Sequence, residues 1–449
     1  MTSVIKIKKG LDINLKGKAP KEFVNIEKSE SYAIVPENFI GITPKIIVRT
    51  GDKVKAGTPL MVDKTHREMM FVSPVSGEVM AVNRGEKRKV LSIIVKADAQ
   101  IEYKKFELKD VASYDAEGLK AVLLEAGMWP FIKQRPYDRV ADPSIAPRDI
   151  FITSYNSAPL APDFDLIVKG EEDMLQTGLD VLAKLTAGSV YLGVKAGSAS
   201  SKMKNVEIVE LSGPHPVGNV GVIINKIKPV NKGETVWTMN AADVLFIGRL
   251  FKSWKTDFSR VIALTGSEIT ERGYVKAIAG CSVRSLVSGR ASELNGTRLI
   301  SGNVLTGTKV EWDDYISAYD NQITAIHEGT DVEEFLGWGM PGFGKYSVSR
   351  TYFSWLSSKG KEYDIDARIR GGKRAMIMSN EYDKVFPMDI LPEYLLKAII
   401  AFDIDKMENL GIYEVAPEDF ALCEFVDTSK IEIQQIVRDG LDLMYKEVN

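Results

Sequence analysis

Three aromatic rings and two cations lie close together between Trp129 and Tyr137. The stretch reads Trp-Pro-Phe-Ile-Lys-Gln-Arg-Pro-Tyr, so Phe131 stands near both Lys133 and Arg135. Flat rings can bury the faces of a planar ligand, and a cationic N–H can donate to its carbonyl oxygen. These residue types predict a site for a carbonyl-bearing ring such as a quinone. The alternative is packing at a domain junction, with Arg135 stacked on an aromatic face.

A second unusual loop surrounds His215. It reads Gly-Pro-His-Pro-Val-Gly-Asn-Val-Gly over residues 213–221, with Pro216 directly after the histidine and Gly218 two residues further on. Prolines fix the backbone on both sides, while glycines allow close approach of another chain or a ligand. Histidine titrates near neutral pH. The loop is interpreted as a structural or functional loop, and the structural interpretation is favoured.

A third motif matches the pattern G-x-G-x-x-G over residues 337–342, which is typical of a dinucleotide phosphate site. The preceding run, residues 331–336, does not read as a strand, and Pro341 lacks an amide donor. An ordinary glycine-rich connection is therefore favoured.

Composition excludes several classes of function. The 449 residues include 58 basic and 61 acidic side chains, for a net charge of -3, so nucleic acid is not an expected partner. Two cysteines and three histidines are too few for an iron–sulfur cluster held by the chain or for structural zinc. No apolar run is long enough for a signal peptide or a membrane span, which predicts a soluble chain that is not exported.

The first domain is expected to cover residues 1–103 and to be a small barrel of short hairpins. Gly51 and Gly57 bracket one turn, Pro74 and Gly77 mark another, and β-prone residues alternate on each side. The pattern is similar to the biotinyl/lipoyl carrier fold, in which a lysine at a hairpin tip carries a prosthetic group. Lys64 lies near such a tip, but an unmodified scaffold is favoured.

Three further domains follow in the predicted organisation. Residues 104–256 alternate strands with helices, which predicts a small parallel α/β sheet. Residues 257–330 return to short strands separated by glycines, which indicates a compact β-rich module. Residues 331–449 are mixed and mostly helical, and end in a helix with a capping box at Ser429 and Glu432. The apolar stripe of that helix is expected to pack on its own domain rather than on a partner.

Several segments resemble NqrA, the family of the A subunit of the sodium-translocating NADH:quinone reductase, and they occur in the order of that family. These segments are residues 7–13, 35–42, 51–55, 129–137, 215–218 and 299–307. The resemblance implies an α+β multidomain chain with a biotinyl/lipoyl-like domain, a Rossmann-like α/β domain, a β-grasp module called SLBB and a C-terminal domain. It also implies a peripheral subunit on the cytoplasmic face of the bacterial inner membrane.

The same resemblance implies partners and ligands. The chain would dock mainly on the B subunit in the membrane, alongside the C, D, E and F subunits, and would contact the membrane only through them. Ubiquinone or menaquinone would be its ligand, with no covalently bound cofactor and with no FMN or iron–sulfur cluster in this chain. Quinone contact in the family maps onto residues 35–42 and 131–138. The predicted contact residues are Val35, Glu37, Asn38, Phe39, Trp129, Phe131, Lys133, Arg135 and Tyr137.

The leading hypothesis is an accessory subunit of a redox-driven sodium pump that contributes to quinone handling and assembly and has no covalent chemistry of its own. Phe39 and Phe131 would bury the quinone ring, and Arg135 or Lys133 would donate to its carbonyl oxygen. A purely structural docking subunit of this or a related complex is the first alternative. A carrier protein with a swinging arm on Lys64 is the second.

Overall fold

The computed structural model describes residues 3–292, 296–330, 337, 342–356 and 360–448. The strands of this part of the chain form sheets of seven, five, four and three strands. Most of the glycine-rich motif at 337–342, and the whole run before it, lie outside the described residues. The interpretation of that motif therefore stays a prediction.

Short antiparallel hairpins form two small sheets near the beginning of the chain, as the turn pattern predicted. The four-stranded sheet has the order Ser31–Ile34, Val90–Ala97, Gly77–Arg84, Lys53–Val54. The three-stranded sheet has the order Pro44–Ile46, Pro59–Asp63, Met70–Val72. Leu60, Val75 and Ile93 are among the fully buried side chains between them. Alternating apolar residues thus close a barrel-like core.

The largest sheet has seven strands, with five parallel strands followed by an antiparallel edge. Its order is Ser3–Lys6, Glu207–Ser212, Val190–Lys195, Ile150–Thr153, Val236–Asn240, Lys133–Arg135, Arg139–Val140. The predicted parallel sheet is confirmed.

The first strand corrects the expected first domain. Ser3–Lys6 lies within the range 1–103, yet it pairs in parallel with Val209–Ser212. It therefore belongs to the seven-stranded sheet and not to the barrel. The physical reason is that a β-prone run needs a partner for its backbone amides, and that partner can lie far along the chain.

Helices flank this sheet, and two of them pack closely through glycines. The helices are Ala116–Glu125, Phe164–Val168, Glu172–Ala183, Val220–Ile227 and Ala241–Ser253. A Cβ on Gly178 would lie 2.5 Å from the backbone oxygen of Val244, and one on Gly248 would lie 1.9 Å from that of Met174. The absence of side chains at both glycines lets the helices Glu172–Ala183 and Ala241–Ser253 approach each other.

The predicted β-rich module forms a five-stranded mixed sheet. Its order is Gly273–Ile278, Ser259–Thr265, Gln322–His327, Thr297–Ser301, Thr308–Val310, with the short helix Val283–Val287 beside it. The strands Ser259–Thr265 and Gln322–His327 are parallel to each other, and the other pairs are antiparallel.

Helices follow near the end of the chain. They are Tyr382–Val385, Pro392–Ile400, Ile404–Asn409, Ala421–Val426 and Ile433–Val448. The predicted stripe of the last helix is fully buried, and this helix packs on the helices Pro392–Ile400 and Ala421–Val426 of its own region, as expected. Among the described residues, no helix has the length and apolar character needed to cross a bilayer.

The predicted capping box is wrong. The Ser429 hydroxyl donates to the Ala375 carbonyl at 3.0 Å, and Glu432 forms an ion pair with Lys373. Glu424 instead accepts from the first-turn amide of the last helix at 2.8 Å. A carboxylate from the preceding helix thus satisfies one of the amides that a cap would have taken.

Candidate functional site

The barrel, the seven-stranded sheet and the five-stranded module meet at a cluster of aromatic rings. Phe39 follows a short turn of the barrel, Phe131 precedes strand Lys133–Arg135, and Tyr319 precedes strand Gln322–His327. The ring centroids of Phe39 and Phe131 are 6.4 Å apart, and Tyr319 lies 5.5 Å from the first and 5.6 Å from the second. Edge-to-face packing of these rings joins three parts of the chain.

A small apolar pocket with a cavity volume of about 40 Å³ opens beside this cluster. Phe39, Phe71 and Phe131 supply its aromatic wall, while Gly127 and Gly280 leave room along the backbone. All of its lining residues are apolar or glycine, so it suits an apolar ring or chain and offers few hydrogen bonds.

A larger and more polar cleft with a cavity volume of about 410 Å³ also borders Phe131. Thr153 and Asn240, at the carboxyl ends of two neighbouring parallel strands, line its floor. The next strand along the chain, Val190–Lys195, pairs with one edge of Ile150–Thr153, whereas the later strand Val236–Asn240 pairs with its other edge. The strand order therefore reverses between Ile150–Thr153 and Val236–Asn240. Ligands of open parallel sheets bind at such a switch point.

The loop after strand Ile150–Thr153 reads Ser-Tyr-Asn-Ser and lacks the glycines that allow a phosphate to approach the backbone. This loop therefore lacks the glycine cradle that is typical of dinucleotide-binding sheets. In the described ranges, no group of three His, Cys, Asp or Glu residues is arranged to hold a metal ion.

Lys133 is the cation that faces this cleft. Its Nζ lies 4.7 Å from the ring centre of Tyr319. No ion pair joins it to a carboxylate in the part of the chain that the structure describes. A Lys133 N–H can therefore donate to a ligand in the cleft, which Phe131 and Tyr319 also line.

Buried carboxyl groups surround the same region. Burial raises the pKa of Asp243, although Arg260 opposes this with an ion pair of 2.6 Å. Burial also raises the pKa of Asp320, which accepts a hydrogen bond from Ser301 at 2.6 Å. Burial acts in the same direction on Asp138, but Lys133 and neighbouring arginines outweigh it and lower that pKa. The cleft thus combines one carboxyl group whose pKa is lowered with two whose pKa is raised.

Arg135 does not face the cleft, which corrects its predicted role as a ligand donor. It is fully buried and bonds to Asp419 at 2.8 Å, to Glu418 at 3.2 Å and to the Glu414 carbonyl at 2.7 Å. Its Nε has no partner. The guanidinium joins the sheet to the C-terminal helices, because a buried cation needs buried anions.

Trp129 and Tyr137 also lie outside the two cavities. Trp129 is fully buried, and its indole N–H donates to the Ala141 carbonyl at 2.7 Å. Tyr137 packs edge-to-face on Tyr413 and Tyr445. Both side chains stabilise the core and the C-terminal contact, so the predicted direct contact with a ligand is not supported by their positions.

The predicted residues of the barrel segment divide in a similar way. Phe39 lines the apolar pocket, whereas Val35 precedes the short turn and Glu37 points outward to an ion pair with Lys89. The Asn38 side-chain oxygen accepts from the Ala318 amide at 3.4 Å and helps to join the barrel to the five-stranded module.

The histidine loop reaches the polar cleft. His215 and Gly218 line it, while Pro216 does not. His215 Nδ1 lies 3.0 Å from the Ser157 hydroxyl, which also accepts from the Gly218 amide at 2.9 Å. Burial lowers the pKa of His215 to about 4, so the imidazole is neutral at pH 7. Its position fits a structural role at the edge of the cleft.

Lys64 is exposed in the connection between two barrel strands. The connection is tied to the barrel through Asp63, whose carboxylate accepts from the amides of Thr43, Thr65 and His66. Whether Lys64 carries a group stays a prediction.

Sequence reasoning missed Tyr319, Asp320, Gln322 and Glu418, which all line the cleft. Their sequence context carries no motif. The one signal in the sequence was indirect: Tyr319 and Asp320 lie in the connection just before the strand Gln322–His327, and binding residues often lie in such connections.

Three family models match successive parts of the chain. They are described as NqrA N-terminal barrel-sandwich hybrid domain for residues 5–98, NqrA second alpha/beta domain for residues 114–256 and NQRA C-terminal domain for residues 261–311. Among solved structures, the chain is similar to an NAD+-reducing NiFe-hydrogenase in its H2-reduced state. That similarity has a TM-score of 0.36 and 10% identity over 75% of this chain and 64% of the other, too low to bear on the fold.

Curated relatives match over nearly the whole length. The A subunit of the Na(+)-translocating NADH-quinone reductase of Yersinia pestis bv. Antiqua (strain Angola) is 35% identical, covering 99% of this chain and 100% of the relative. The corresponding protein of Vibrio atlanticus (strain LGP32) is 36% identical with the same coverage. The chain therefore belongs to the NqrA family, the A subunits of the sodium-translocating NADH:quinone reductase.

Proposed function

We propose that this chain is the peripheral NqrA component of a sodium-translocating NADH:quinone reductase and contributes to quinone binding and to assembly of the complex. It would sit on the cytoplasmic face of the bacterial inner membrane and dock mainly on the B subunit, with the C, D, E and F subunits in the same complex. Ubiquinone or menaquinone would be its ligand. The isolated chain would carry out no covalent chemistry.

The main support is the meeting of two segments that are distant in sequence. Phe39 and Phe131 come from the two segments expected to contact quinone, and their rings stand 6.4 Å apart beside one apolar pocket. A pocket walled by rings suits a planar, apolar head group. Neither segment could form that wall alone.

The polar side of a quinone would be met by Lys133. Phe131 lines both cavities, so a ring packed on it would lie at the boundary between the apolar pocket and the polar cleft. Lys133 reaches that boundary over the Tyr319 ring, and its N–H groups can donate to a carbonyl oxygen. Arg135 does not take this role, because its guanidinium donates to Asp419, Glu418 and the Glu414 carbonyl.

Paired phenylalanine substitutions test the quinone site. Phe131→Leu removes a ring that lines the pocket, whereas Phe246→Leu removes a ring that packs on Phe131 at 5.2 Å without lining either cavity. Both changes disturb the same aromatic core. Titration of the full-length chain with a soluble short-chain quinone, followed by calorimetry, should show weaker binding for Phe131→Leu. The expected loss is about tenfold, the effect of about 1.4 kcal/mol of lost ring contact.

A charge substitution completes the test. Lys133→Met should weaken quinone binding, while Lys53→Met, at an exposed ion pair of the barrel, should not. Equal affinities for the wild type, Phe131→Leu and Lys133→Met would remove the proposed site. Equal losses for Phe131→Leu and Phe246→Leu would attribute the effect to the core and not to the ligand.

A purely structural docking role is the second candidate, and one observation favours it. Leu391, Tyr394 and Phe402 on the C-terminal helices are 54%, 54% and 74% exposed. Apolar side chains exposed together mark interaction surfaces. This candidate predicts no saturable heat on quinone titration, and loss of co-purification with the membrane subunits when Tyr394→Ser and Phe402→Ser are combined.

A further inference from the structure

Large apolar side chains are exposed in the extended segment between the five-stranded module and the C-terminal helices. Phe343 is 63% exposed, Phe353 45%, Trp355 53% and Leu356 60%. The rings of Phe343 and Phe353 pack against each other at 5.9 Å, and the last three residues share one short turn. We refer to these four residues as the aromatic patch. Clustered exposure of this kind marks a binding surface, whereas single exposed residues do not.

Cations border the aromatic patch directly. The Arg350 guanidinium lies 5.8 Å from the ring centre of Trp355, and the Lys361 ammonium donates to the Phe343 carbonyl at 2.6 Å. Along residues 342–374, basic side chains outnumber acidic ones, although the whole chain has a net charge of -3. The basic residues are Lys345, Arg350, Lys359, Lys361, Arg368, Arg370, Lys373 and Arg374, and the acidic ones are Glu362, Asp364 and Asp366.

The base of the segment is anchored to the folded body. Tyr346 packs edge-to-face on Tyr363 at 5.3 Å and contacts the Phe425 ring at 5.9 Å. The Ala367 amide donates to the His327 carbonyl at 3.0 Å. The aromatic patch therefore extends from a segment held at both the five-stranded module and the C-terminal helices.

We propose that the aromatic patch and its neighbouring cations bind an anionic lipid surface directly. Phe and Trp rings insert at the boundary between headgroups and acyl chains, while Arg and Lys reach lipid phosphates. The mixture of exposed rings and excess positive charge fits both parts of that boundary. This contact replaces the expectation that the chain meets the membrane only through its partner subunits. It belongs to the chain itself and depends neither on the quinone pocket nor on another protein of the complex.

Vesicle binding by the full-length protein tests the inference. Phosphatidylcholine vesicles with about one-third phosphatidylglycerol should bind the wild type, and binding should fall with added salt, while phosphatidylcholine alone should bind it weakly. Each basic side chain near an anionic surface contributes about fivefold to binding, so combining Arg350→Gln with Lys361→Gln should weaken it about thirtyfold.

A matched pair of triple variants isolates the rings. Phe343→Ser, Phe353→Ser and Trp355→Ser together should abolish binding. The control combines Phe23→Ser, Ile47→Ser and Trp254→Ser, which also removes three exposed apolar side chains, at 48%, 51% and 53% exposure respectively, outside the aromatic patch and the exposed residues of the C-terminal helices. The control should bind as the wild type does.

The outcomes are distinct. The inference is overturned if the wild type does not prefer anionic vesicles, if the patch variant binds as the wild type does, or if both triple variants lose binding equally. If the wild type binds no vesicles, and an acidic membrane protein binds the wild type but not the patch variant, the partner of the aromatic patch is a protein instead of a lipid surface. Should the patch variant fail to fold by circular dichroism, the Arg350→Gln and Lys361→Gln variant decides, because it changes only groups near the surface.

Discussion

Replacing Arg135 with methionine separates the structural role of this cation from the ligand role that the sequence had indicated. Methionine keeps most of the length of the side chain and adapts to irregular cavities. The change leaves Asp419, whose side chain is 1% exposed, without its partner at 2.8 Å, and also removes the donor to Glu418. Two neighbouring carboxyl groups would then face each other without a cation.

The expected cost is large because Asp419 stays buried, whereas the Glu418 side chain is 44% exposed. Breaking a buried ion pair by removing one partner typically costs about 3–5 kcal/mol of unfolding free energy. The matched control is Lys53→Met, because the Lys53–Glu78 pair has a similar distance of 2.9 Å but side chains 75% and 49% exposed. Exposed pairs contribute about 0–1 kcal/mol. Arg135→Met should therefore lower the unfolding free energy several times more than Lys53→Met does.

The pH dependence has a definite sign. Burial already raises the pKa of Glu418 and of Asp419 in the wild type, although Arg135 opposes it. A carboxyl whose folded-state pKa is raised binds its proton more tightly when folded, so its stability contribution is lost as the pH rises through that pKa. Without Arg135 both pKa values should rise further. The unfolding free energy that Arg135→Met loses relative to the wild type should therefore be greatest near neutral pH. This loss should shrink towards about pH 4, the ordinary pKa range of carboxyl groups.

Urea unfolding followed by circular dichroism at pH 7.5 and pH 5 gives the stability, and quinone titration of the folded variant gives the affinity. We expect strong destabilisation with unchanged quinone affinity. If Arg135→Met cost no more than Lys53→Met, the argument from the buried pair would be refuted. If it removed quinone binding without affecting stability, Arg135 would be a ligand donor after all.

Three further outcomes follow from the structure. The His215 imidazole should show no titration by NMR between pH 6 and pH 8, because burial lowers its pKa to about 4. Below about pH 6.5 the unfolded chain binds a proton at this histidine that the folded chain does not, so the unfolding free energy should fall progressively. Leu441→Ala, on the buried stripe of the last helix, should cost about 2–5 kcal/mol in urea unfolding, and Val448→Ala, which is 43% exposed, should cost under about 0.5 kcal/mol. Intact mass spectrometry of protein purified from its native complex should give the unmodified mass; added mass on a peptide containing Lys64 would instead support the carrier alternative.

Local patterns were sufficient for most elements of the fold. The helix Glu172–Ala183 buries Leu175, Leu179 and Leu182, which recur at helical spacing, and Gly127 follows the helix Ala116–Glu125 in the left-handed conformation that glycine favours. Such features depend on residues three or four apart and are therefore visible in the sequence.

The candidate site was only partly predictable because its contacts are long-range. Phe39, Phe131 and Lys133 were each chosen by residue type, and they do line the cavities. Arg135 was chosen for the same reason, but its anion Asp419 lies 284 residues away and no local pattern announces it. Residue type shows which chemistry a side chain can do, whereas its partners decide which chemistry it does.

Parallel pairing of Ser3–Lys6 with the strand Glu207–Ser212 has a consequence for biosynthesis. While the chain emerges from the ribosome, the barrel can close early, but the opening strand must wait for its neighbour to be translated. A bulky N-terminal fusion would therefore disturb a sheet that is completed late. Its damage should appear as slow maturation of the α/β region, with the barrel already formed.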